Sequence, residues 1–139
     1  MKKLSIAILL FALLGCVVGS ANADNAMNAF WEKFKAAVIK GDKEAVAGMS
    51  AFPINMGYGM SNIKTKTQFM KNYKYIFANE TNAAKCFQTA KPDTDKKRPK
   101  EFLIGCPFAK DSGGDEPFVY TFKLTRYGWR FRAFENINE

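Results

Sequence analysis

Apolar residues recur every third or fourth position in this chain up to Phe77, and every second position from Phe118 onward, and that one change of period decides the fold class. Met27, Phe30, Trp31, Phe34, Ala37 and Val38 form one apolar stripe and predict a helix over 24–40. Asp24 or Asn25 can cap its start, and Gly41 suits the left-handed position just past its end. Asp42 reads as the N-cap of a second, shorter helix through about Met49, carrying Ala45, Val46 and Met49. Phe52-Pro53-Ile54 then predicts a short edge strand, because Pro53 has no N–H to give to a ladder. Residues 55–62 read as a loop or a small irregular hairpin. Thr65-Lys66-Thr67-Gln68 has capping-box spacing and opens a third helix to about Ala78, with Phe69, Met70, Tyr73, Ile76 and Phe77 on its apolar face.

Four strands are expected after Ala83: Ala84–Ala90, Glu101–Phe108, Phe118–Arg126 and Trp129–Ile137. In the third, Phe118, Tyr120, Phe122 and Leu124 alternate with Val119, Thr121, Lys123 and Thr125. Tyr127-Gly128 makes the hairpin turn, after which Trp129, Phe131 and Ala133 alternate with Arg130, Arg132 and Phe134. Helices first and strands last give an α+β domain, with three N-terminal helices packed on an antiparallel sheet.

The start of the chain carries an address. Lys2 and Lys3 precede Leu4–Val18, an uncharged run of 15 residues. As a helix it would be about 22 Å long, too short to span a bilayer comfortably and suited to a signal-peptide core. Ala21-Asn22-Ala23 supplies an A-x-A cleavage site before Asp24. Residues 1–23 are therefore expected to be a signal peptide and 24–139 a single domain, exported to a bacterial periplasm or secreted. Leu13-Leu14-Gly15-Cys16 also resembles a lipobox, so a lipoprotein anchored through Cys16 is the alternative. Val17 and Val18 continue the apolar run past that cysteine and favour cleavage after Ala23. No membrane span is expected after residue 23.

Net charge is +8, from 21 basic and 13 acidic residues, and removing Lys2 and Lys3 lowers it to +6. The excess is scattered, apart from Lys96-Lys97-Arg98-Pro99-Lys100. That run sits beside Pro92, Asp93, Thr94 and Asp95, without aromatic platforms, and reads as a solvated loop; no nucleic-acid partner is expected. Cys86 and Cys106 are expected to form a disulfide, given the even count in an exported chain. Closing a loop of that length stabilises by roughly 3 kcal/mol in the chain-entropy model. A redox pair would call for C-x-x-C spacing.

The chain has no histidine, which removes the side chain best matched to acid–base work near neutral pH and the commonest metal ligand. Asp111-Ser112-Gly113-Gly114-Asp115-Glu116 lacks the ligand spacing of a calcium loop. The carboxylates fall in caps, loops and polar helix faces, with Glu101 at a strand start the least determined. No catalytic residue, metal site or cofactor is predicted.

Phe30-Trp31-Glu32-Lys33-Phe34 through Gly41-Asp42, then Ala51-Phe52-Pro53-Ile54, then Thr67 to Tyr73 through Ile76-Phe77, and the Tyr120–Phe134 hairpin together resemble the NTF2-like (SnoaL-like, cystatin-like α+β) superfamily, in particular its small exported members. The resemblance covers nearly all of 24–139. It implies a curved antiparallel sheet wrapped around the helices as a cone, and a superfamily that hosts isomerases, dehydratases, hydrolases, adaptors and binding modules, so fold does not supply function. The reading preferred on these grounds is a non-catalytic module holding a small apolar or amphipathic ligand in the cone. Phe30, Phe34, Phe69, Tyr73, Tyr120, Phe122, Trp129 and Phe131 would form its wall; the rival is that these rings fill the cone as core. A second reading is a protein-interaction module, an inhibitor or immunity-like partner of an acidic envelope protein. Its contacts would be Met56, Tyr58 and Met60 in one loop and Lys96, Lys97, Arg98 and Lys100 in another. A third is an isomerase or dehydratase using Tyr58 or Tyr73 with a carboxylate. A homodimer is compatible with all three.

Overall fold

The computed structural model of the chain describes residues 20–57, 60–110 and 117–138. The leader run and the Cys16 lipidation reading lie outside the described residues, as does Tyr58. Helix α1 (Ser20–Lys40) starts four residues ahead of the expected position and buries Met27, Trp31, Phe34, Ala37 and Val38, with Phe30 half-buried. Gly41 ends it at φ +73°, a left-handed conformation that a Cβ would strain. Asp42 then caps α2 (Lys43–Gly48), its carboxylate accepting from the Ala45 N–H at 3.0 Å.

Strand β1 (Ser50–Asn55) carries Pro53, exposed, on the sheet's edge. Helix α3 (Lys66–Lys74) is capped by Thr65, whose hydroxyl accepts from the Gln68 N–H. The Gln68 side chain returns one residue further back than a capping box requires, accepting from the Lys64 N–H at 2.7 Å. A π-helical turn (Tyr75–Asn79) continues α3. The remaining elements are α4 (Ala83–Cys86), β2 (Asp93–Thr94), β3 (Glu101–Cys106), β4 (Phe118–Thr125) and β5 (Gly128–Asn136). The sheet runs β1-β5-β4-β3-β2. Among the described residues no helix is long and apolar enough to cross a membrane.

Several expectations are corrected. Ala84–Ala90 does not form a strand. The Asn82 side chain caps α4 by accepting from the Lys85 N–H, and Ala83 and Phe87, one helical turn apart, are both fully buried. Local capping and an i,i+4 apolar pair override the alternation read there. Within the expected loop 91–100, Asp93 and Thr94 pair with Leu103 and Phe102 and add a two-residue edge strand. The sheet is mixed rather than antiparallel, because β1 lies parallel to β5 with Ser50 opposite Phe131. Those partners are some eighty residues apart, and periodicity within a strand carries no information about such a pairing.

The hairpin is also subtler than its alternation suggests. Register shifts between Thr121 and Phe122, which oppose Ala133 and Phe131, so Arg132 is the extra residue of a β-bulge. The bulge moves Phe134 to the inner face and Ala133 to the outer one. Arg126 and Tyr127 form the turn, and Gly128 follows at φ +90°.

The expected disulfide is present. Cys86 and Cys106 are joined with Cα atoms 5.9 Å apart, tying the end of α4, not a strand, to the end of β3.

Candidate functional site

The inner face of the sheet is mostly aromatic, with Ile104 and Cys106 beside Phe102 on β3. Phe102 stacks on Phe122 at 4.6 Å, and Phe34 from α1 meets Phe122 edge-on at 4.9 Å. Phe131 touches Phe34, Phe122 and Tyr120, while Phe77 lies between Tyr73 and Tyr120. Trp129 packs on Phe102, Phe30 on Phe34 and Phe122, and Phe69 on Tyr73 and Phe77. The eight residues expected to wall a cone pocket are thus joined ring to ring. Seven are buried and Phe30 is half-buried. The structure brings them together as core packing.

Two tyrosines in this core differ. Tyr120 Oη donates to the Ile76 carbonyl inside the π turn at 2.6 Å and also bonds the buried Thr81 hydroxyl. Burial pushes its phenol well above the ordinary value, with the Thr81 hydrogen bond opposing that shift. Tyr73 Oη is buried and makes no hydrogen bond among the described residues. Burial, reinforced by the Asp42 carboxylate, pushes its phenol up to about 12. Asp42 is engaged in capping α2, so Tyr73 forms no tyrosine–carboxylate pair of the kind an acid–base reading needs.

The outer face is built differently, and cross-strand pairing sorts it into rows. Glu101, Lys123 and Arg130 lie opposite one another on β3, β4 and β5, as do Leu103, Thr121 and Ala133, and Gly105, Val119 and Glu135. Asn55 on β1 pairs with Ala133. The middle row is the floor of a trough of about 710 Å³, to which no helix contributes a lining residue. Thr121 and Ala133 are nonetheless only 7 % exposed.

Charged side chains form the trough's rim. Glu101 is held by Arg98 at 2.6 Å and Lys123 at 3.1 Å, and Arg98 also reaches Asp95 at 3.4 Å. Opposite, Asn55 Nδ2 donates to Glu135 Oε1 at 2.8 Å, and the Gly57 N–H donates back to Asn55 Oδ1. Gly57 is at φ +71°, and a Cβ there would sit 3.3 Å from the Glu135 Cα, so any side chain at this position would strain the approach. Arg132, the bulge residue, donates to the Ala51 carbonyl at 3.4 Å and forms no ion pair with a described carboxylate. Its guanidinium is the rim cation left available for an anion.

Alternation indicated that Arg130 and Arg132 face outward, but nothing in the sequence marked the trough. The parallel pairing of β1 on β5, the bulge at Arg132 and the Gly57–Glu135 approach build it, and each depends on long-range pairing.

The two candidate interaction loops divide. Met56 is 4 % exposed and belongs to the core, contrary to its expected role as a contact residue, because Ile54 and Ile63 pair antiparallel and close the loop over it. Met60 is exposed. Lys96, Lys97, Arg98 and Lys100 are all exposed, and the Lys100 carbonyl accepts from the Leu124 N–H at 2.9 Å, which sets the basic loop beside the β4–β5 hairpin tip.

No family model and no curated protein matches the chain. It is similar to solved structures of NTF2-like and cystatin-like fold. One is an NTF2-like family protein from Streptomyces avermitilis, at 13 % identity over 84 % of this chain and 96 % of that one, with a TM-score of 0.48. Another is a cystatin-like domain from Nostoc punctiforme, at 12 % identity over 86 % and 79 %, with a TM-score of 0.46. The chain is also similar to a Mycobacterium tuberculosis protein solved in complex with estradiol-17β-hemisuccinate, at 15 % identity over 84 % of this chain and 92 % of that one, with a TM-score of 0.45.

Proposed function

We propose that this chain is an exported binding domain that takes a small amphipathic ligand in the trough on the outer face of its sheet. The observation that carries the reading is the trough itself: a floor of Leu103, Thr121 and Ala133 with Val119 beside it, bounded by charged rims, in which Arg132 has no carboxylate partner among the described residues. An apolar body can lie along the floor while an anionic head meets the Arg132 guanidinium, whose fork matches carboxylate geometry. The ligand class is accordingly an amphiphile with an anionic head. The cone interior plays no part in this reading, since its rings pack against one another.

Isothermal titration with dodecanoate and dodecanol, compounds of equal chain length, tests it. Dodecanoate is expected to bind at least roughly tenfold more tightly than the alcohol, the value of one charge-assisted contact. Arg132→Met should remove that preference, and Leu103→Asp should weaken both ligands. Dodecanoate that fails to bind, or binds Arg132→Met equally well, sinks the proposal. Intact mass of the protein recovered from its compartment tests export: a chain beginning at Asp24 is expected, and a diacylated Cys16 or an uncleaved chain contradicts it.

A further inference from the structure

The end of the molecule at the β4–β5 hairpin tip combines two segments far apart in sequence. The basic loop contributes Lys96, Lys97, Arg98 and Lys100, and the hairpin tip contributes Lys123, Leu124, Arg126 and Tyr127, all of them exposed. The Leu124 N–H to Lys100 carbonyl bond fixes the two together. Tyr127 is 68 % exposed at the apex, with the Arg126 guanidinium 4.6 Å above its ring, and Leu124 beside it is 39 % exposed. Six cations here gather beside Asp93, Asp95 and Glu101, and the last two acids are taken up by Arg98 and Lys123. Lys96, Lys97, Lys100 and Arg126 form no ion pair with a described carboxylate.

We infer that this end docks on an anionic lipid surface, with Tyr127 and Leu124 entering the headgroup layer and the lysines contacting lipid phosphates. Shape favours lipid over an acidic protein. The apex projects: Tyr127 is 68 % exposed and Leu124 39 % exposed, with Lys96, Lys97, Lys100 and Arg126 exposed around them. Protein hot spots are held in packed, desolvated recesses, whereas a bilayer interface accepts protruding basic and aromatic side chains. A tyrosine with a cation over its ring places an apolar body and two polar groups at the depth where headgroups begin. Juxtamembrane cations each add attraction to an anionic leaflet that falls off within a Debye length.

The test is flotation of the full chain with vesicles of phosphatidylcholine alone and of phosphatidylcholine with about one-third phosphatidylglycerol. The readout is the ratio of the two affinities, which cancels any contribution of the apolar leader to both. That ratio is expected to be at least roughly tenfold in low salt and to collapse at high salt. Lys96→Glu/Lys97→Glu/Lys100→Glu should lower binding to the anionic vesicles roughly a hundredfold, and Tyr127→Ser several-fold with the salt dependence retained. All four positions are exposed, so near-UV circular dichroism of each variant should match the parent. Equal affinity for both vesicles, or charge reversal without loss, overturns the inference. So does a low-salt pull-down that recovers an acidic protein through these lysines while the vesicles stay unbound.

Discussion

Thr121 and Phe122 are consecutive residues of β4, both buried, and buried by different means. Phe122 is 0 % exposed because rings from α1, β3 and β5 close over it. Thr121 is 7 % exposed on the opposite face, where the walls are Lys123, Arg132 and Glu135 and no helix supplies a lining residue. One side of the sheet is filled by the chain itself, and the other is sheltered but left open. Shelter without filling is what a binding surface requires, and on the inner face the fold has already spent that space on its own side chains.

The contrast is sharpest in the cost of truncation. Phe122→Ala opens a void between Phe34, Phe102 and Phe131 and is expected to cost about 3–5 kcal/mol. Thr121→Ala removes little volume from a face already in contact with solvent and should cost under about 1 kcal/mol. Urea midpoints of the two variants measure the gap. Comparable losses would mean that the outer face is packed as tightly as the inner one.

Next in size is the disulfide, which anchors the inner layer where α4 meets β3. Cys86→Ser/Cys106→Ser reopens a loop of twenty residues and is expected to lose about 3 kcal/mol. Dodecanoate affinity, measured below the new melting temperature, should stay within about twofold, because neither cysteine lines the trough. A tenfold loss would couple the two faces.

How much of this was legible depends on the range of the interaction that decides each feature. The α1 stripe, the Gly41-Asp42 corner, the Thr65 cap and the β4–β5 alternation are written within a few residues, and all were readable. The cysteine pair was readable from count and spacing, although the element carrying Cys86 was not. The parallel pairing of β1, the bulge at Arg132 and the burial of Met56 come from partners many residues away. Pairings between residues so far apart leave no local pattern, so the trough, assembled from four strands and two loops, left no signal except the alternation of Arg130 and Arg132. The eight candidate wall residues share one core with Trp31, Phe77, Phe87, Phe102 and Phe134, which that list lacks, and a list of aromatic residues reads the same whether they enclose a space or fill it.

A smaller effect should separate the two rims. Gly57 combines φ +71° with close approach to Glu135, so Gly57→Ala is expected to destabilise by more than about 1 kcal/mol. It should also displace the Asn55–Glu135 wall and weaken ligand binding in the trough. Glu101→Gln, on the opposite rim, keeps a hydrogen-bonding side chain in place beside two exposed cations, Arg98 and Lys123, and should change stability by about 1 kcal/mol or less. Equal effects would mean the Gly57 approach carries no strain.

Effects of opposite sign are expected from two hydroxyls on the same inner face. Tyr120 donates to the Ile76 carbonyl and bonds Thr81, so Tyr120→Phe leaves both partners unsatisfied and should cost about 1–3 kcal/mol at pH 7. Tyr73 Oη is buried without a hydrogen bond among the described residues, so Tyr73→Phe removes a desolvated group and should leave stability unchanged or raised by up to about 1 kcal/mol. Titration supplies the second readout. Folding raises the Tyr73 phenol from 10.0 to about 12, so the unfolded chain loses its proton first as the solution becomes alkaline. Tyr73 therefore contributes no pH dependence below pH 10, and stability falls as the pH rises from 10 toward 12. Tyr73→Phe should make that decline shallower, measured as urea midpoints at pH 7, 10 and 11. A loss at pH 7 as large as that of Tyr120→Phe, with the alkaline slope unchanged, would show that the Tyr73 hydroxyl is hydrogen-bonded in solution and that the inner face is not closed around it.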